Sequence, residues 1–138
     1  MGCDIHLHIE VKLNGKWEHY AAPRIDRDYR LFTKMAGVRQ CCNMQCLASP
    51  RGLPNDITVL TRYDCERMGS DGHDHSWLGK EEIRILSHFI EVLKDGWYNL
   101  EYHVLHCYLF ENSFDIVSYP EGVPIGVEDV RFVFWFDN

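Results

Sequence analysis

Apolar and polar residues alternate strictly at the start of the chain. Cys3, Ile5, Leu7, Ile9, Val11 and Leu13 interleave with Asp4, His6, His8, Glu10 and Lys12. A period of two over this length predicts a half-buried strand. Asn14-Gly15 then supplies the positive φ angles of a two-residue hairpin turn, and residues 16–21 return as a second strand. Further on the period lengthens. Leu31, Phe32, Met35 and Ala36 share one face of a helix predicted over residues 29–38, with Asp28 as its cap. Asn55 or Asp56 can cap a second helix running to about Met68. Residues 69–76, Gly-Ser-Asp-Gly-His-Asp-His-Ser, carry too many turn formers to continue that helix and read as a loop. A third helix is expected over residues 80–94, burying Ile83, Leu86, Ile90 and Leu93, with Asp95-Gly96 as its stop.

Residues 97–110 fit either a strand, by aromatic content, or a helix, by the spacing of Leu100, Val104 and Cys107; the helix is preferred. Residues 118–126 read as a loop. The chain ends in a strand over residues 130–136, with Phe132, Phe134 and Phe136 on one face and Arg131, Val133, Trp135 and Asp137 on the other. Both faces are largely apolar, which places it centrally in the sheet, beside the first strand. The expectation is a single α+β domain over residues 1–138. Its sheet is mainly antiparallel, built from the N-terminal hairpin and the C-terminal strand and packed against three to four helices.

Composition supports a folded globule: 46% of the residues are hydrophobic, enough for a core in 138 residues. No apolar run approaches the ~20 residues that span a bilayer. No basic region followed by an apolar stretch marks a secretory signal, so a reducing cytoplasm is the expected location. Six cysteines are then read as thiols rather than disulfides, and the Cys41-Cys42-Asn43-Met44-Gln45-Cys46 cluster lacks the paired spacing of a zinc knuckle. The net charge of −7 argues against binding duplex nucleic acid. Residues 23–51, however, hold six basic against two acidic side chains, a local balance of +4. That distribution suits a small anionic ligand.

Two segments concentrate chemistry. Strand pleat puts Asp4, His6 and His8 on one face, alternate side chains about 6–7 Å apart. Asp71, His73, Asp74 and His75 repeat those residue types in the glycine-rich stretch. Three uses follow if the segments meet. Asp4, His6, Asp71 and His73 could ligate a divalent ion, zinc or manganese. His6, His73 and His75 could act as general base and acid, oriented by aspartates. Or the group could hold a nucleotide without breaking it. Against these stands the plain reading of a solvated strand face and a helix-capping loop. Arg39 and Arg51 are candidate phosphate clamps, because guanidinium binds phosphate in a bidentate manner. No Gly-x-Ser-x-Gly elbow, phosphate loop or dinucleotide glycine motif is present.

The opening Met1-Gly2-Cys3-Asp4-Ile5-His6-Leu7 resembles a widespread group of small phage and bacterial proteins without an assigned activity. The likeness continues through Asp28-Tyr29-Arg30-Leu31-Phe32, Val38-Arg39, Pro50-Arg51-Gly52-Leu53-Pro54, Gly69-Ser70-Asp71-Gly72-His73, Ser76-Trp77-Leu78 and the terminal Phe136-Asp137-Asn138. This chain departs from the group's commonest pattern at His8, often tyrosine, and at Asp74, often serine. The resemblance implies a phage or prophage setting, hence the host cytoplasm. By analogy with small phage proteins that counter host defence, the expected function is a phosphodiesterase-like hydrolase acting on a nucleotide or cyclic-nucleotide signal. The alternatives are a nucleotide-sequestering protein, forming a homo-oligomer with sites at subunit contacts, and a protein-binding inhibitor.

Overall fold

A computed structural model of the chain describes residues 2–41, 43–96 and 126–137; the segment 97–110, the histidines at 103 and 106 and nearly all of the 118–126 loop lie outside them. The described elements run β1 (Asp4–Leu13), β2 (Lys16–Ala21), α1 (Tyr29–Ala36), α2 (Val59–Met68), a 3-10 turn (Gly69–Asp71), β3 (Gly72–Leu78), α3 (Lys80–Gly96) and β4 (Asp129–Asp137). The four strands form one antiparallel sheet in the order β2-β1-β4-β3. The fold is α+β, with three helices among the described residues. No helix among the described residues is long and apolar enough to cross a membrane.

β4 lies beside β1 along its whole length, from Asp4 opposite Asp137 to Lys12 opposite Asp129. It is buried on both faces, as its double apolar pattern demands. One face of the sheet carries Ile5, Leu7, Ile9, Phe132, Phe134 and Phe136. It packs against Leu31, Phe32 and Met35 of α1 and Ile83 and Leu86 of α3. Asn14 and Gly15 take positive φ, 52° and 75°, and close the β1–β2 hairpin as expected. The Asp28 carboxylate caps α1 by accepting from the Arg30 N–H at 2.8 Å. Gly37 at φ 73° ends that helix two residues earlier than its periodicity suggested.

Two expectations are corrected. Residues 69–76 are not a loop: after a 3-10 turn the chain enters β3, an edge strand paired with β4. Pairing with a central strand satisfies the backbone and overrides a turn-rich composition. The outer edge of β3 is in turn covered by the proline-flanked loop, through Gly52 N–H to His75 O at 2.8 Å and Arg51 N–H to the Ser76 hydroxyl at 3.1 Å. Second, α2 is capped neither by Asn55 nor by Asp56. Its N-cap is Thr58, whose own side chain makes no cap bond. The acceptor comes instead from β1: Glu10 Oε2 takes the Thr58 N–H at 2.9 Å and the Thr58 and Thr61 hydroxyls at 2.7 Å each. Asp56 is engaged elsewhere, by Arg131 at 2.8 Å.

Candidate functional site

The polar face of β1 is roofed by α2. Along it the exposure falls steadily, from Asp4 in solvent through half-buried His6 to buried His8 and Glu10. Trp135 on β4, fully buried, is the floor between β1 and β3. Three imidazoles lie against it. His6 is 6.0 Å from the indole at 12° between planes, His8 5.3 Å at 20°, and His75 5.9 Å at 29°. His75 reaches this face because β3 is bulged. Asp74 adopts φ 53°, and between His73 and Ser76 the strand advances three residues while β4 advances two. Without the bulge, His75 would share the face of His73.

The two histidine segments therefore meet only in part. His6 and His75 converge on Trp135. His73 stays on the opposite, core-side face, opposite Phe136, with its Nδ1 2.7 Å from Asp74 Oδ2 and its Nε2 buried without a partner. Asp71 closes the 3-10 turn and is exposed. The same geometry does not bring the four expected metal ligands together. Asp4 is held in a bidentate pair by Arg27, both contacts 3.0 Å, and His6 Nε2 is taken by Asp137 at 2.7 Å. Among the described residues no group of three or more His, Cys, Asp or Glu side chains is arranged to hold a metal ion.

The expected phosphate clamps are also placed elsewhere. Arg51 pairs with Glu82 through both guanidinium nitrogens, donates to Trp77 O at 3.0 Å and lies 4.5 Å over the Trp77 ring. It fastens the proline-flanked loop to β3 and α3. Arg39 lies 5.7 Å over the Tyr29 ring and acts on the buried Cys3 thiol, which burial pushes up and Arg39 pulls back. Neither lines the cleft beside β1. That cleft, about 690 Å³, opens beside β1 where β2 has ended at Ala21. It is lined by Asp4, His6 and His8 from β1, Arg24 and Arg27 from the strap that leaves β2, and Asp64 from α2. The basic stretch of the sequence contained both arginines; only the course of the strap shows that they, and not Arg39 or Arg51, face the histidines.

Electrostatics inside the site follows from these contacts. The Arg27 hydrogen bonds hold the Asp4 carboxyl below its ordinary range. Burial pushes Asp64 up, but hydrogen bonds from Arg67 and His8 outweigh it and leave that carboxyl low. His75 is pushed down by burial and then by His73, with Asp74 opposing. At pH 7 the cleft therefore holds ionised Asp4 and Asp64 beside two arginines. His6 is oriented by a carboxylate, and His8 sits 2.9 Å from Asp64 through Nε2 and 2.9 Å from His19 through Nδ1.

Asp137, Asp64, His19 and Trp135 are the functional candidates that sequence reasoning missed. Asp137 was legible: an antiparallel β4 beside β1 brings its end level with Asp4 and His6. Asp64 carried no signal, because the placement of α2 on the polar face depends on Glu10.

Gly72 marks how tightly His75 is seated. A Cβ there would lie 3.3 Å from His75 Nε2, Met68 Cγ and Trp135 Cδ1. Gly72→Ala is expected to tilt His75 off the indole and to cost about 1–3 kcal/mol, the range for overpacking. Urea unfolding and the His75 ring shifts in NMR check this; unchanged ring shifts would show that Met68 alone gives way.

No protein-family model, curated protein or solved structure matches this chain.

Proposed function

We propose that the protein is a phosphoester hydrolase acting on a nucleotide or cyclic-nucleotide signal, with His6 as its acid–base group. The observation that carries this reading is the His6–Asp137 pair at the wall of a cleft that also presents Arg24 and Arg27. Asp137 accepts from His6 Nε2–H, which fixes the tautomer and leaves Nδ1 to take a proton from an attacking water or hydroxyl. The carboxylate also stabilises the imidazolium that results. Arg24 is exposed, and Arg27 can exchange Asp4 for a phosphoryl oxygen, so two positive charges face the group that gains negative charge in the transition state. The volume suits a nucleotide. A phage setting, implied by the resemblance of the sequence, fits a substrate that serves as a host defence signal.

A second reading, sequestration without turnover, is favoured by one observation: Arg27 and His6 each hold a carboxylate partner, Asp4 and Asp137. Incubation with bis(p-nitrophenyl) phosphate and with a panel of cyclic mono- and dinucleotides separates the two. Hydrolysis of many equivalents, diminished about tenfold or more in Arg24→Ala, supports the hydrolase. Stoichiometric binding with intact release on heating supports sequestration.

A further inference from the structure

Hydrolysis by His6 makes no use of the polar groups behind it. Behind it a continuous polar chain crosses β1 to β2. Asp64 Oδ2 lies 2.9 Å from His8 Nε2, and His8 Nδ1 lies 2.9 Å from His19 Nε2. The two ends of the chain open on different cavities. His8 and Asp64 line the cleft, whereas His19 lines a second groove of about 670 Å³ between the hairpin and the start of α2. His8 itself is only 5% exposed, so its contacts with solvent run through its partners.

A nitrogen–nitrogen contact of 2.9 Å holds one hydrogen and no more. One imidazole must donate and the other accept, so the pair cannot be doubly protonated without parting. We propose that His8 and His19 form a one-proton bridge, with the added proton held on His8 by Asp64, and that this bridge passes protons between the back groove and the cleft. A proton arriving at His19 Nδ1 makes that ring cationic, and its Nε2–H moves to His8 Nδ1. His8 then gives its Nε2–H to Asp64 on the cleft side. Each ring gains one hydrogen and loses one, and the positive charge leaves His19. The passage reverses the polarity of both hydrogen bonds, and a proton moving the other way restores it. This matches a general base that first takes a proton and later returns it.

The surroundings of the pair agree. Asp64 on α2, itself bound by Arg67 at 2.6 Å, is the carboxylate in contact with His8. Glu10 on β1 acts on His19 and favours its charged form, yet His19 is held below its ordinary value, first by burial and then by the charge of His8. Trp135 from β4 brings no charge, and His6, two places along β1, is turned to Asp137.

Delivery of the proton to a bound ligand rests on the hydrolase reading; the sharing does not, and it is tested without turnover. Histidine nitrogens of the full chain are followed by ¹⁵N NMR against pH in the native protein, Asp64→Asn and His8→Gln. Removing a nearby carboxylate ordinarily lowers the pKa of an imidazole. Under proton sharing Asp64→Asn acts in the opposite direction on His19. The proton is no longer held on His8, and His19 rises by about one pH unit, the scale of a strongly coupled pair. His8→Gln raises His19 as well, and decides the matter if Asp64→Asn does not fold. A His19 midpoint that falls or stays put in either folded variant overturns the bridge. Absence of hydrolysis by the native protein, with the His19 shifts as expected, would instead overturn the hydrolase reading alone.

Discussion

Replacing Glu10 with alanine is expected to destabilise the fold by about 3–5 kcal/mol, the cost of breaking a buried ion pair from one side. Glu10 is fully buried, and Arg131 is 2.7 Å away across the β1–β4 pair. Arg131 is itself enclosed, 4.0 Å over the Trp17 ring and bound to Asp56. Without the carboxylate the enclosed guanidinium is left with Asp56 as its counter-charge, and the Thr58 N–H and two threonine hydroxyls lose this acceptor. Glu10→Gln keeps an acceptor oxygen and should cost less. Urea denaturation with an unchanged slope measures both; a loss below about 1 kcal/mol for Glu10→Ala would mean that water replaces the carboxylate freely.

The same residue sets part of the acid response. Burial pushes the Glu10 carboxyl up, but the bonds from Thr58, Thr61 and Arg131 together outweigh it and leave it below its ordinary value of 4.5. A lowered carboxyl stabilises the fold above its unfolded-state value, and that stability is lost as pH falls through the lower folded value. His19 and His75 are also lowered, from an ordinary 6.5, and both by burial first. The native state thus binds fewer protons than the unfolded chain just below pH 6.5. Stability should decline in two stages, the first beginning near pH 6.5 and belonging to the histidines, the second below pH 4.5 with Glu10 and the other lowered carboxyls, Asp4 and Asp64 among them. In Glu10→Gln the second stage should shrink and the first remain.

On the hydrolase reading, His6→Gln is expected to cut kcat by about 10²–10⁴, the usual contribution of a positioned acid–base group, with the fold intact. His6 is half-buried and replaceable without opening the core, and its imidazole is bonded to Asp137 rather than to the apolar layer. Asp137→Asn should lower kcat less, since it weakens support for the imidazolium while leaving the ring in place. Phosphate-ester hydrolysis at saturating substrate separates kcat from KM. Full activity in His6→Gln would show that the acid–base group is not His6. His73→Ala serves as a contrast: on the far face of β3, it should leave kcat unchanged.

The strands at the two ends of the chain were legible because their physics is local. Period two in residues 3–13 dictates a strand with one apolar face, Asn14-Gly15 dictates the turn, and the doubly apolar 130–136 segment must be central; that α2 also buries His8 and Glu10 on the polar face was not legible. From that pairing alone the row of Asp4, His6 and His8 acquires its partner face on β4. What only the tertiary structure decided were the events that depend on distant groups. β3 exists because β4 offers a free ladder, which outweighs the turn-forming chemistry of residues 72–76. Its bulge at Asp74 then sorts His75 onto Trp135 and His73 away from it. α2 begins where Glu10, 48 residues earlier, supplies the acceptor its own cap residue does not. Arginines of one basic stretch are divided by the course of the strap into those that face the cleft and those that fasten loops. Periodicity reports what a segment must bury; it carries no information about which remote carboxylate will satisfy a buried donor, and here those remote carboxylates assemble the site.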